Sequence, residues 1–203
     1  INLIGTTGTR RIDSSGSGAL ILANLNNSSA GAVNTAGGAK TLEIRGNNTD
    51  GNMITSVLGD SGGALSVTKA DGGVWILNPS SANTFTGSLT AAGGSLGLTA
   101  DGIGSASLIS ISNGAIFGYG GDLVTSKTIN WVNNSTAVFS GSNNITLNGT
   151  FQVAGGNNDG TFSNNLDNGA VLTINNNFTN LKANSRNFFI RGYGSTVWNG
   201  SIQ

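Results

Sequence analysis

The chain has 203 residues, nine Lys plus Arg against nine Asp plus Glu, and neither histidine nor cysteine. Zero net charge supplies no electrostatic footprint for nucleic acid or an anionic membrane, and the missing cysteines exclude disulfides and thiolate metal sites. Glycine accounts for 33 residues, asparagine is nearly as frequent and there is one proline, so helix is disfavoured almost everywhere: glycine costs about 1 kcal/mol per helical position, and Asn, Ser and Thr compete with the helical backbone.

Only 9% of the residues are charged, yet Val, Ile, Leu and Phe recur in small clusters, which separates this composition from that of a disordered chain. Apolar residues fall two apart along the whole chain: Leu20 and Leu22, Leu42 and Ile44, Leu65 and Val67, Val74 and Ile76, Leu96 and Leu98. The same spacing continues through Ile109 and Ile111, Ile129 and Trp131, Ile145 and Leu147, Phe151 and Val153, Leu172 and Ile174, and Phe188 and Ile190. That period predicts short strands, each with one face turned to a core. Between them stand Asp-Gly steps at Asp50, Asp71, Asp101 and Asp159, and Asn-Gly steps at Asn113, Asn148, Asn168 and Asn199. Both residue types accept left-handed backbone, so each step turns a corner or closes a hairpin, and the turns alone leave an antiparallel sandwich open.

Longer similarities narrow the choice. TRRIDSSGSGALIL from Thr9 is echoed by SKTINWVNNSTAVF from Ser126, the segment from Leu42 to Thr68 is echoed from Phe151, and Val74-Trp75 is echoed by Val197-Trp198. The chain divides as a superrepeat over 9–125 and most of a second over 126–203. Repetition of short strands is the signature of a solenoid, in which each turn buries its apolar face against its neighbours. Asparagines facing such a core are expected to stack in amide ladders between turns.

Residues 64–98 carry the most specific text. GGVWIL (Gly72 to Leu77), ANTFTG (Ala82 to Gly87) and GGSLGL (Gly93 to Leu98), in this order and spacing, resemble the autotransporter-associated β-strand repeat of bacterial passenger domains. The resemblance covers about one repeat closely. It implies a right-handed parallel β-helix outside the cell, whose stepwise stacking helps draw the chain through the outer membrane.

Candidate chemistry is sparse. Gly59-Asp60-Ser61-Gly62-Gly63 matches the nucleophile text of trypsin-like proteases, but that mechanism needs an imidazole and the chain has none. Glycan-cleaving β-helices use clustered carboxylates or Asp-bound calcium, whereas Glu43 is the single glutamate and most aspartates stand beside glycine. Glu43 and Arg45 share a strand face, where a small polar cluster can form. GNNTDG (46–51) and GGNNDG (155–160) resemble fragments of calcium loops, but each offers one carboxylate where calcium takes six to eight oxygens. Trp75, Trp131 and Trp198 are expected to pack, with their indole N–H groups on loop carbonyls, rather than to form a sugar-binding stripe. Asn-x-Ser/Thr triplets such as those at Asn27, Asn47, Asn134, Asn144, Asn148 and Asn177 arise by chance in this composition.

The expected fold is therefore all-β, one right-handed parallel β-helix over 1–203, with about eight to ten turns stacked at ~4.8 Å. No apolar run approaches the ~18 residues of a membrane span and no basic-then-apolar leader opens the sequence, which begins and ends within strand-like text, as a segment of a longer exported precursor would. The expected role is structural: a stiff extracellular rod on a bacterial surface or secreted, not an enzyme, able to stack end to end into a fibre or sheath. An adhesin or glycan-binding passenger module is the alternative class, with a glycan-cleaving enzyme behind it. No catalytic, cofactor or metal residue is assigned. The expected partners are further copies or neighbouring repeats of the same precursor, and a surface glycan or host ligand. Nucleic acid and membrane insertion are not expected.

Overall fold

A computed structural model describes residues 7–23, 25, 38–60, 62–132, 134–154, 160–180 and 187–202. The chain coils through three parallel sheets. The first stacks β1 (Gly8–Asp13), β3 (Lys40–Arg45), β5 (Leu65–Lys69), β7 (Leu89–Ala91), β9 (Ile109–Ile111), β12 (Ile129–Val132), β15 (Phe151–Ala154) and β18 (Phe178–Asn180). The second stacks β2 (Ile21–Leu22), β4 (Asn52–Ile54), β6 (Val74–Leu77), β8 (Ser95–Leu98), β10 (Ala115–Gly118), β13 (Thr136–Gly141), β16 (Gly160–Leu166) and β19 (Phe188–Gly192). The third holds β11 (Leu123–Thr125), β14 (Ile145–Leu147), β17 (Val171–Ile174) and β20 (Ser195–Trp198). Every pair of neighbouring strands runs parallel, as in β3 on β5, where Leu42 meets Val67 and Glu43 meets Thr68. This is a β-solenoid, and the antiparallel alternative falls. About six turns are shown, and the expected eight to ten are more than the described residues show.

The corner joining the first sheet to the second explains the paired glycines. A Cβ on Gly73 would stand 2.4 Å from the Asn48 carbonyl oxygen, and one on Gly94, at φ +54°, only 2.3 Å from that of Gly73. Successive turns touch backbone to backbone there, so each double glycine admits the next turn. Asp71, Asn113 and Asn168 take left-handed backbone at their Asx-Gly steps, whereas Asp50, Asp101, Asn148 and Asn199 do not. Among the described residues the one helix is α1 (Ala100–Ile103), capped by the Thr99 hydroxyl on Gly102 N at 2.9 Å.

The core is one continuous cluster from Leu25 to Phe178. Most of the predicted alternations hold, among them Leu42 with Ile44, Ile109 with Ile111 and Leu172 with Ile174. β6 has the opposite phase: Trp75 and Leu77 face inward and Val74 and Ile76 outward. Its four consecutive apolar residues carry no phase of their own. Register supplies it, because Trp75 sits between inward Asn52 and Leu96, and Leu77 between Ile54 and Leu98. Ile76 is still covered, since the Phe117 ring folds back over Gly97 in the space a Cβ would occupy, with Ile76 on its other side. Ile190 lies in register with buried Phe162, yet it is 53% exposed because β19 is the last strand of its sheet.

The superrepeat echo between Trp75 and Trp198 does not place them alike. Trp75 belongs to the second sheet and Trp198 to the third.

Candidate functional site

The strongest concentration of functional groups lies on the outer face of the first sheet, over its first three strands. Alternation puts Arg11, Asp13, Glu43 and Arg45 outward on β1 and β3, and the parallel register sets Arg11 beside Glu43 and Asp13 beside Arg45. Arg11 Nε donates to Glu43 Oε1 at 2.8 Å, and Arg45 Nη1 donates to the same oxygen at 3.0 Å. Arg45 also grips Asp71, through Nε at 2.9 Å and Nη2 at 3.3 Å. Asp13 completes the cluster 3.6 Å from Arg45 Nε. The hydrogen bonds and charge of Asp71, and then those of Glu43, raise the Arg45 pKa further above its ordinary value. A guanidinium therefore stands between the two carboxylates, and the group ties three turns together. Glycosidase chemistry needs two carboxyl groups facing a shared substrate space, and these face an arginine.

Lys69 lies behind this face. It occupies an inward position between Ile44 and Ala91 and is fully buried. Its ammonium donates to three main-chain carbonyls, Ala70 at 2.7 Å, Asp71 at 2.8 Å and Gly93 at 3.0 Å. Burial lowers its pKa to about 8, against the opposing charge of Asp71. The sequence carried no mark of this residue beyond a lysine in phase with the inward Leu65 and Val67.

The remaining candidates that are described make hydrogen bonds within the coil. Asp60 of the protease-like text accepts from Leu65 N at 2.7 Å and from the Thr86 hydroxyl at 2.5 Å, which staples one turn to the next, while Ser61 lies outside the described residues. Asp50 of GNNTDG accepts from Gly18 N at 2.9 Å. Asp159 of GGNNDG lies outside the described residues, among which no three His, Cys, Asp or Glu side chains gather into a potential metal site. Trp75 donates to the Arg45 carbonyl and Trp131 to that of Ser135, both at 3.0 Å, as packed indoles should. The buried Trp198 Nε1 has no acceptor among the described residues.

Asparagine behaves differently from expectation. The buried Asn52, Asn83 and Asn164 mostly bond backbone groups rather than like amides. Asn52 accepts from Leu20 N at 3.0 Å and donates to the Val74 carbonyl at 2.8 Å, spanning the turns on either side. Asn83 accepts from Leu58 N at 2.7 Å and donates to the Gly102 carbonyl at 2.8 Å. Asn164 donates to the Ser195 carbonyl at 2.9 Å and to the Thr196 hydroxyl at 2.8 Å. The amide ladder exists, but on an exposed corner: Asn199 donates to Asn175 and Asn175 to Asn148, each at 2.7 Å.

One further surface is extended. Register aligns Thr68, Thr90, Ser110, Asn130 and Gln152 in a single outward column that continues the line of Arg11 and Glu43. Its hydroxyls and amides repeat at the strand spacing of ~4.8 Å.

Comparison with protein-family models, with curated proteins and with solved structures returns no match for this chain. Among the described residues no helix is long and apolar enough to cross a membrane.

Proposed function

We propose that this chain is a structural segment of a bacterial cell-surface or secreted protein, a stiff right-handed β-helical rod of the autotransporter-associated repeat type. The observation that carries the proposal is the unbroken parallel ladder: two sheets of eight strands wound around one apolar core. Such a coil hydrogen-bonds its own backbone along its length and needs neither metal nor disulfide. The repeat-like text supports the same reading through its placement, since GGVWIL and GGSLGL each supply a tight glycine corner followed by a strand, and ANTFTG contributes the buried Asn83 and Phe85. We infer about eight to ten turns in all, a rod of about 40 to 50 Å.

The rod is proposed to work outside the cell and without enzymatic activity. Support for the second point is that Glu43, Asp50, Asp60 and Asp71 are each engaged by an arginine or a main-chain N–H. End-to-end stacking on another copy or a neighbouring repeat is the proposed mode of assembly. The parallel ladders support it, since every described turn already stacks strand on strand along one direction. Electron microscopy of the purified chain tests this reading: filaments whose axial repeat matches one rod are expected, and monodisperse globular particles would overturn it.

The second reading is an adhesin or glycan-binding module, favoured by the polar column from Thr68 to Gln152. Co-sedimentation with insoluble polysaccharides tests it, with binding expected to fall when Thr90 and Asn130 are both replaced by Lys.

A further inference from the structure

We propose that Asn168 is the chain's preferred site of spontaneous covalent change, in which its side-chain amide is lost through a cyclic imide and replaced by aspartate and isoaspartate. All four Asn-Gly steps lie among the described residues, and they share the local sequence that favours this chemistry. Structure separates them. Asn113 Oδ1 accepts from Thr136 N at 3.1 Å, and Asn148 and Asn199 belong to the amide ladder through Asn175. Their glycines are pressed against the neighbouring turn: a Cβ on Gly114, Gly149 or Gly200 would meet a main-chain oxygen at 2.7, 2.1 and 2.1 Å. Around Gly169 nothing lies within 4 Å of that position, and the Asn168 side chain has no hydrogen-bond partner among the described residues.

Asn168 and Gly169 form the two central positions of an exposed turn between β16 and β17, both with left-handed backbone at φ 51° and 78°. The turn is closed by Ala170 N on the Asp167 carbonyl at 2.9 Å, which leaves the Gly169 N–H outside that bond. In the reaction the Gly169 nitrogen bonds to Asn168 Cγ, the Cγ–Nδ2 bond breaks, and Nδ2 departs as ammonia with the proton from Gly169. Water then opens the five-membered imide at either carbonyl. One outcome is aspartate. The other is isoaspartate, which lengthens the main chain by one atom in the turn joining the second and third sheets. Either product adds a negative charge beside Asp167.

The locked sites must first shed a hydrogen bond and free a glycine wedged against the neighbouring turn, together worth about a factor of ten in rate. The test is incubation of the folded chain in mildly alkaline buffer, followed by peptide mapping with mass spectrometry and isoaspartate-specific detection, alongside the same chain in urea. Asn168 is expected to convert about tenfold faster than Asn113, Asn148 or Asn199 when folded, and all four at similar rates when unfolded. A folded chain in which Asn168 reacts no faster than the other three overturns the proposal, as does a ranking that unfolding leaves unchanged.

Discussion

The two halves of the coil share the first and second sheets but close the third side differently. Up to Leu108 the described residues place no strand on that side: it is formed by the segments after β4, β6 and β8, the last carrying α1. From Leu123 onward it is a sheet of four strands. Without a strand ladder, side chains add to scattered main-chain bonds between turns, such as Thr84 N on the Leu58 carbonyl at 2.8 Å and Ser105 N on the Asn83 carbonyl at 2.9 Å. The Ser56 hydroxyl accepts from Leu25 N at 3.1 Å and donates to the Leu22 carbonyl at 3.2 Å, and Asn83 does the same work for Leu58 and Gly102. Among the described residues every ion pair also lies in the first half. The second half has a thick aromatic core instead: Phe151 lies 5.6 to 6.3 Å from Phe139, Phe162, Phe178 and Trp198. One backbone architecture thus tolerates two ways of satisfying its third side, by periodic main-chain pairing over aromatic rings or by polar side chains inserted into a mostly aliphatic core.

The largest effect should come from the aromatic half. Phe151→Ala removes the ring at the centre of that cluster, and large-to-small changes of this kind cost about 3 to 5 kcal/mol. Because a solenoid's stability is a sum over neighbouring turns, the loss should be confined. Hydrogen exchange is expected to accelerate in β12 to β18 and to stay nearly unchanged in β3 to β6; uniform acceleration would mean that the halves fold as one unit.

Asn83→Leu probes the other strategy. It keeps the volume but strands the Leu58 N–H and the Gly102 carbonyl in a buried site, where each unpaired group costs about 1 to 3 kcal/mol. Urea denaturation should show a loss of about 2 to 4 kcal/mol, and exchange should now accelerate around residues 55–60 and 99–106. A near-neutral result would show that the segments on this side do not depend on their polar bridges.

These two bonding schemes were unequally legible in the sequence. Ile109 and Ile111, or Leu42 and Ile44, announce their inward phase because polar residues separate them. Val74 to Leu77 does not, and it is register with Asn52 that sets Trp75 inward. Glu43 and Arg45 were visible as neighbours on one strand. Arg11 and Asp71 were not, since they lie 32 and 26 residues from the groups they pair with, and only the unequal lengths of the turns bring them into line. The solenoid was readable from repetition, whereas the missing strand on the third side of the early turns was not, because a segment held by Ser56 or Asn83 has the composition of an ordinary loop.

Lys69 offers a smaller and pH-dependent test, specific to the first half. Its pKa is about 8 in the folded chain against an ordinary value of 10.5, so between these values the unfolded chain binds more protons. Stability is then expected to rise with pH through that window, with the penalty for burying the charge fully present below about 8 and relieved as pH approaches 10.5. The comparison is with Lys69→Met, in which this rise is absent. An identical pH profile in both proteins would mean that the three carbonyls around Nζ compensate the burial.

The smallest effect is expected at Asn148, and it separates residue type from environment. Asn148 and Asn83 both hydrogen-bond a neighbouring turn, the former by accepting from Asn175 at 2.7 Å on an exposed corner, the latter inside the coil. Water replaces the lost amide at the corner, and the Asn148 main-chain carbonyl still accepts from Asn176 in Asn148→Ala. The change should therefore stay within about 0.5 kcal/mol, as surface substitutions do. A loss as large as that of Asn83→Leu would show that the exposed ladder acts cooperatively along its three amides, and that the second half, like the first, relies on side chains to join its turns.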